Sequence, residues 1–364
     1  MYYRDTWLNI DLDAYKANLE SYRKNTNKKL ILILKANAYG HGDIMMAKYA
    51  LKMGYDFFGV SSLDEALHLR LNGISGEILI LGYTDAKDAA IAKEHNITLC
   101  VPSLDFVKDL AEVKDLKVQI KLDTGMSRIG LRTKEELNEA IETLEKKKVK
   151  ITGVFSHYAK SDCADEEYSK LQFLKFKELI TDSNYSFPLI HIANTDGIEM
   201  MPEDFSNTMR LGLGAYGYSS FRTLQPCLSL YTKIAMIKKI EPGTLVSYGC
   251  HYQANKSEWL ATLPIGYADG FWRKNTGRKV YLDGEYGEIV GSICMDQMMV
   301  VLPHYYPENT PVELLGEHLK LKEMAAELDT IPYEILVALT SRITRVYTEK
   351  GQIVLTDNQR FSKL

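Results

Sequence analysis

Two patterns of apolar and polar positions divide the chain near residue 220. In the first part, short β-branched runs predict eight buried parallel strands, at Leu30–Lys35, Phe57–Ser61, Ile78–Gly82, Thr98–Val101, Val118–Leu122, Ile151–Tyr158, Leu189–Asn194 and Thr208–Leu213. Amphipathic stretches between them predict helices, including Gly42–Met53, Leu63–Leu71, Asp85–Glu94, Lys134–Lys146 and Glu167–Leu179. This alternation predicts a (β/α)8 barrel of the TIM type over residues 1–220. Only the last crossover, before Thr208, is too short for a full helix.

After about Gly217 the pattern changes to closely spaced strand-like runs, at Leu228–Ile240, Trp259–Leu263, Lys279–Leu282, Gly287–Ile293 and Gln297–Leu302. Turn residues separate these runs, as in Glu241-Pro-Gly243 and Asp283-Gly284. A helix is expected at about Leu321–Leu328. Residues 221–364 are therefore predicted to form a second, mostly antiparallel β domain.

Composition narrows the class of protein. The 364 residues are 46% apolar and 25% charged, which is typical of a globular chain. The net charge of −4 gives no electrostatic reason to expect nucleic acid or an anionic membrane as a partner. No apolar run approaches the roughly 18 residues of a membrane span. The five cysteines are scattered and odd in number, which disfavours a disulfide framework or a zinc site and favours a cytoplasmic location.

Polar residues lie at the predicted carboxyl ends of the barrel strands, where a barrel places its functional groups. They are Lys35, Lys121, Arg128, His157, His191, Asn194, Thr195 and Arg210. Taken singly, each is explained as a strand end, a turn or a structural histidine. Together, lysine, arginine, histidine and glycine-flanked backbone donors suit a phosphate-bearing electrophile that contains a ring.

The chain resembles bacterial alanine racemases in eight segments, in the family's order and near its spacing. The first, Leu34-Lys-Ala-Asn-Ala-Tyr-Gly-His-Gly42, is similar to the family's cofactor-binding signature almost letter for letter. The others are Lys121–Gly130, Phe155–His157, His191–Thr195, Arg210–Gly217, Leu245–Gly249, Leu263–Gly270 and Ile293–Gln297. Because the segments extend over almost the whole chain, it is identified as a member of that family.

The resemblance implies a racemase that depends on pyridoxal 5′-phosphate and converts L-alanine to D-alanine for peptidoglycan. Lys35 would bear the cofactor as a Schiff base and serve as one acid/base group, with Tyr248 as the second on the opposite face. Tyr248 and Met295 would come from the partner subunit of a homodimer, and Met295 would help to bind the substrate carboxylate.

The remaining implied roles concern the cofactor. Arg210 would face its pyridine nitrogen and Arg128 its phenolic oxygen, with Arg128 also near the substrate. Lys121 matches a lysine that is carbamylated in many members. His157 would pack near the ring, and His191 would hydrogen-bond Arg210. The other implied cofactor-site residues are Asn194 and, near the phosphate, Tyr39, Thr195, Gly212, Leu213 and Ser341.

Three departures from the family pattern lie near the expected entrance. Ser341 stands where many members have a tyrosine, Thr344 replaces a proline, and Ser292 replaces an arginine. The other expected entrance residues are Tyr267, Asp162 and Arg273. A wider, more polar entrance would suit serine as well as alanine, as in the racemase domains of some vancomycin-resistance systems.

A third alternative is a barrel that binds pyridoxal phosphate for homeostasis without turnover. Such proteins lack the second domain and the tyrosine at 248, both of which this chain has. Basic-amino-acid decarboxylases share a barrel-plus-β architecture. Their cysteine motif is not found around Cys294, where Met295-Asp296 follows the racemase pattern.

Overall fold

The computed structural model describes residues 3–24, 26–163, 166–201 and 205–359. The chain divides into two compact units. The barrel unit consists of Lys16–Ala38 and Gly42–Gln225. The strand unit consists of the chain up to Tyr15, the short segment Tyr39–His41, and the chain from Pro226 onward.

The barrel unit is built on eight parallel strands, which confirms the predicted fold class. Their bounds are Lys29–Ile33, Phe57–Val60, Glu77–Ile80, Ile97–Val101, Lys117–Lys121, Lys150–Phe155, Leu189–His191 and Thr208–Leu211. Neighbours follow chain order, and the last strand pairs in parallel with the first. Backbone hydrogen bonds from Asn207 to Ile190 (3.2 Å) and from Arg210 to Ala193 (3.1 Å) link the seventh strand to the eighth. The barrel is therefore nearly closed.

Helices lie between most of these strands. The helices up to residue 220 are Leu12–Lys24, Asp43–Lys52, Leu63–Leu71, Ala89–Glu94, Leu104–Asp109, Lys134–Lys146, Glu167–Asp182 and Thr195–Met200. Lys134–Lys146 buries Leu137, Ala140, Ile141 and Leu144, the helical spacing that predicted it, and a capping box at Thr133 begins it. Among the described residues, no helix is both long and apolar enough to span a membrane.

The strand unit contains a ten-stranded sheet, as predicted for the C-terminal part. In sheet order its strands are Met236–Ile240, Glu258–Leu263, Met298–Leu302, Glu285–Val290, Lys279–Leu282, Pro311–Leu315, Leu228–Lys233, Thr6–Asp11, Thr344–Glu349 and Gln352–Asp357. Leu245–Val246 and Tyr252–Gln253 form a separate pair. The helices Leu321–Glu327 and Pro332–Ala338 complete the unit, and the second was not expected from the sequence.

The N-terminal strand belongs to the strand unit, although residues 1–220 were all expected in the barrel. Thr6–Asp11 pairs antiparallel with Leu228–Lys233 and parallel with Thr344–Glu349. Its alternating positions Thr6, Leu8 and Ile10 are buried. Because alternation leaves one strand face apolar, such a strand needs a sheet that is covered on one side only.

Candidate active site

The carboxyl ends of the barrel strands bring five of the expected residues together. Burial holds the pKa of His157 well below its usual range, and four nearby side chains lower it further: Arg210, Lys121, Arg128 and Lys35. Two arginines therefore keep the environment of this imidazole positive, and two lysine amines with lowered pKa values lie beside them. That environment suits an anionic ligand.

Arg210 is fixed at the centre of this cluster by a dense set of hydrogen bonds. Its guanidinium is buried and donates to Nδ1 of His191 (2.6 Å) and Nδ1 of His157 (2.8 Å). It also donates to the carbonyls of Ser156 (2.9 Å) and Ile192 (2.8 Å). Since a guanidinium stays protonated, these contacts leave a permanent, rigid positive charge at this position.

The two histidines accept from Arg210 and are therefore neutral. His191 is fully buried, and its other ring nitrogen, Nε2, lies 2.7 Å from Oε1 of Gln119. With Nδ1 accepting from Arg210, Nε2 is the protonated nitrogen that donates to Gln119. Burial and Arg210 keep the pKa of His191 well below its usual range. Gln119 was not foreseen, because its amide has no sequence signal inside an apolar strand.

Lys121 is a buried amine next to this network. Its side chain is 3% exposed and its Nζ has no hydrogen-bond partner among the described residues. Nζ lies 5.1 Å from the centre of the Phe155 ring, which stacks on His191. Burial, and then the charge of Arg210, lower the pKa of Lys121 to about 7. A large fraction of this lysine is consequently uncharged at neutral pH.

Lys35 stands directly before an unusual left-handed turn. Ala36, Asn37, Ala38 and Tyr39 follow it with φ between 51° and 55°. This conformation costs a non-glycine residue about 1–2 kcal/mol. Burial and Arg128 lower the pKa of Lys35, which favours the neutral amine that attacks a carbonyl. Tyr39, at the end of the turn, is buried and lies against the ring of Tyr333.

A tight backbone segment lies beyond the last strand of the barrel. The hydroxyl of Thr195 accepts from the N–H groups of Gly212 and Gly214, both at 3.1 Å. A Cβ on Gly214 would lie 2.6 Å from the Tyr22 hydroxyl and 2.8 Å from Cγ2 of Thr195, so a larger residue would have to displace these buried side chains. Leu213 is buried between the two glycines. Asn194 caps the helix that begins at Thr195, accepting from the N–H of Gly197 at 3.0 Å.

The strand unit holds the second expected acid/base residue. Tyr248 is 75% exposed and Met295 is 53% exposed. The preceding Ser247 has φ 66° and ψ −179°, a backbone conformation that is otherwise found almost only in glycine. The hydroxyl of Ser247 donates to the carbonyl of Ser292 (2.5 Å), and that of Ser292 donates to the carbonyl of Tyr248 (2.8 Å).

The predicted entrance residues have exposed or partly exposed side chains. Tyr267, Arg273 and Ser341 lie in the strand unit, and all three are exposed. Asp162 lies in the barrel unit and is also exposed. Arg273 donates to the Ser292 hydroxyl at 3.2 Å, a contact that the sequence did not reveal.

Comparison with known proteins agrees with this arrangement. Residues 10–220 match the alanine racemase N-terminal domain, and residues 227–347 match the C-terminal domain. An alanine racemase of Limosilactobacillus reuteri is 40% identical, over 95% of this chain and 98% of its own length.

Solved structures agree as well. The alanine racemase of Bacillus anthracis with bound L-Ala-P has a TM-score of 0.95 at 34% identity, covering 99% of both chains. A histidine racemase from Leuconostoc mesenteroides has a TM-score of 0.89 at 30% identity, covering 96% of this chain and 99% of its own. The chain therefore belongs to the alanine racemase family.

Proposed function

We propose that this protein interconverts L-alanine and D-alanine with pyridoxal 5′-phosphate, supplying D-alanine for peptidoglycan. One observation carries the proposal: in a chain of this family, Lys35 lies in the same positive cluster as the hydrogen-bonded Arg210. The direct test is an assay of L-alanine racemisation in which circular dichroism monitors the loss of optical activity. Lys35→Ala should abolish it, and an active Lys35→Ala protein would refute the assignment.

The residues present fit the cofactor that the family uses. Lys35 has the lowered pKa that a carbonyl-binding amine needs, and the positive cluster suits the phosphate and phenolate charges. Lys35 would hold the cofactor covalently, with Arg210 at the ring nitrogen and Arg128 at the phenolic oxygen. His157 is proposed to lie near the ring, with His191 holding Arg210. The remaining proposed cofactor-site residues are Asn194 and, around the phosphate, Tyr39, Thr195, Gly212, Leu213 and Ser341.

The protein's own residues then move the proton. The bound cofactor acidifies the Cα–H of the substrate. Racemisation removes this proton on one face and delivers another on the opposite face, so two bases on opposite sides provide a direct route. We assign these roles to Nζ of Lys35 and the hydroxyl of Tyr248. Arg210, permanently charged, would hold the cofactor at its ring nitrogen, where it would disfavour protonation and so limit side reactions such as transamination.

We propose a homodimer with composite sites. The large exposed fractions of Tyr248 and Met295 support it, since residues that act in a partner's site must extend from their own surface. Mixing Lys35→Ala with Tyr248→Phe protein would restore about a quarter of all sites, because each mixed dimer regains one. No recovery after demonstrated subunit exchange would refute the composite site.

Lys121 is proposed to be carbamylated. Its uncharged amine would attack CO2 and lose a proton to solvent, which forms an N–C bond and leaves a carbamate anion. The buried, unpartnered Nζ and its pKa of about 7 support this reaction, because the neutral amine is the reactive form. The anion would then pair with Arg128, whose charge already acts on Lys121.

Alanine is the proposed substrate, and serine is the alternative. The exposed Ser341 favours a more polar entrance, whereas Ser292, which stands in place of an arginine, is buried with its hydroxyl on the Tyr248 carbonyl. Racemisation rates for L-alanine and L-serine, compared as kcat/KM, decide between them. An alanine preference far above roughly a hundredfold would exclude serine, since one hydroxyl in an apolar pocket rarely gives more.

We propose a cytoplasmic location. All five cysteines are free thiols in the structure. This is the state that a reducing compartment maintains.

A further inference from the structure

The left-handed turn after Lys35 is held at its first peptide by a residue of a neighbouring helix. Glu65 is the third residue of Leu63–Leu71, and its Oε1 accepts from the N–H of Ala36 at 2.7 Å. Its Oε2 accepts from the N–H of Ser61, also at 2.7 Å. One carboxylate thus joins the ends of two adjacent barrel strands.

This contact matters because the turn is strained. Four consecutive residues that are not glycine, Ala36 to Tyr39, have positive φ, and such conformations persist only where the surroundings enforce them. Other contacts also hold the turn. The N–H of Ala38 donates to the carbonyl of Leu34 (2.8 Å), Asn37 Oδ1 accepts from the N–H of Asp43 (3.0 Å), and the Asn37 carbonyl accepts from the N–H of Gly42 (2.9 Å). Glu65 supplies the contact at the beginning, next to Lys35.

The charges around Lys35 also indicate that Glu65 acts on this lysine. Burial and then Arg128 lower its pKa, as Arg210 does to a smaller extent, whereas Glu65 raises it. Glu65 also contributes to the raised pKa of the buried Asp43. Oδ1 of Asp43 in turn lies 3.6 Å from Nε2 of the exposed His68. Among these groups, Glu65 is the one whose negative charge opposes the two arginines at Lys35.

We propose that Glu65 is a positioning residue for Lys35, fixing the start of the turn so that the lysine side chain points to the cofactor and balancing the arginine charges there. The inference rests on the proposed role of Lys35 and is independent of which amino acid is racemised. The carboxylate of Glu65 therefore has two separable effects: it fixes the backbone at the start of the turn, and its negative charge acts on Lys35.

The experiment compares holoenzymes of the wild type, Glu65→Gln and Glu65→Asp. Asp64→Asn is the control, since it removes a charge from an exposed neighbour on the same helix. The readout is the pH midpoint of the visible absorbance of the lysine-bound cofactor. Glu65→Gln should lower the midpoint by on the order of one pH unit, and Asp64→Asn should leave it unchanged. A midpoint unchanged in Glu65→Gln would overturn the proposal.

Glu65→Asp keeps the charge but is one methylene too short to reach both N–H groups. It should keep the wild-type midpoint while weakening cofactor binding several-fold, which also tests the idea if Glu65→Gln fails to fold. Cofactor binding as tight as in the wild type would contradict the positioning role. Borohydride reduction and peptide mapping of the wild type test the role of Lys35 separately from that of Glu65. If the cofactor is found on another lysine, both the role of Lys35 and this inference are overturned.

Discussion

Replacing Lys121 by methionine tests how the protein tolerates a buried amine. Methionine has a similar length and no charge. Burial and Arg210 lower the pKa of Lys121 from 10.5 to about 7. Below a pH of about 10 the unfolded chain therefore binds a proton that the folded amine does not. The stability of the folded protein falls as pH decreases to about 7 and then levels off.

The size of the effect follows from this shift. Each pKa unit corresponds to about 1.4 kcal/mol, so at about pH 8 a free amine at Lys121 costs about 3 kcal/mol of unfolding free energy. The group is 3% exposed, so solvent screens little of this cost. Carbamylation removes it, because the modified nitrogen no longer binds a proton.

The assay is denaturant unfolding of wild type and Lys121→Met at equal protein and cofactor concentrations, with and without bicarbonate. Without CO2, the variant should be more stable by about 3 kcal/mol at about pH 8, and only the wild type should gain stability as pH rises toward 10. Bicarbonate should stabilise the wild type alone, and ¹³C-bicarbonate should give a carbamate signal by NMR.

Two results would refute this reasoning. If the CO2-free wild type were as stable as Lys121→Met, the burial cost would be wrong. If bicarbonate changed neither stability nor the NMR spectrum, the carbamate proposal would fail.

Three further substitutions test other parts of the structure. Ser292→Ala removes the hydrogen bond to the Tyr248 carbonyl, worth about 1 kcal/mol, so kcat should fall about fivefold with KM nearly unchanged in steady-state assays. Arg210→Gln removes the cation next to His157, so NMR titration should show a higher pKa for that imidazole. Asp269→Asn removes a fully buried carboxylate that pairs with two partly exposed arginines, and it should lower the unfolding free energy by about 1–3 kcal/mol in denaturant unfolding.

Two of these substitutions have a matched control variant, and all three have an outcome that would contradict them. Ser257→Ala removes an exposed serine of the same unit and should leave kcat unchanged; equal effects would remove the special role of Ser292. Asp283→Asn alters an exposed turn and should cost little stability, and an equal loss would show that burial of Asp269 is irrelevant. An unchanged His157 titration would show that Arg210 does not set its charge state.

The barrel strands were predictable because they are buried on both faces. A strand such as Ile97–Val101 appears as a short apolar run, and Leu63–Leu71 and Lys134–Lys146 were located with their observed bounds. Prediction failed where one apolar run contained two strands, or where a strand depends on partners far away in the sequence. The run Leu228–Ile240 contains two strands, and Thr6–Asp11 depends on partners more than two hundred residues away.

The site divides in the same way. Lys35, His157 and Arg210 were accessible from the sequence because strand ends in a barrel converge at one face. Gln119 and Glu65 were not, since a glutamine within a strand and a glutamate in the first turn of a helix have ordinary local explanations. The left-handed turn also has no local signal, because no glycine occupies Ala36 to Tyr39.

The sequence by itself thus determined the element types, the two-part organisation and the chemical groups, because periodicity and side-chain identity are local properties. Only the tertiary structure decided the protonation and hydrogen-bonding state of those groups. Lys121 is an amine with a pKa near 7, and His191 is neutral, because distant strands bury them beside Arg210. Desolvation and charge proximity depend on the packed fold, so no stretch of sequence specifies them.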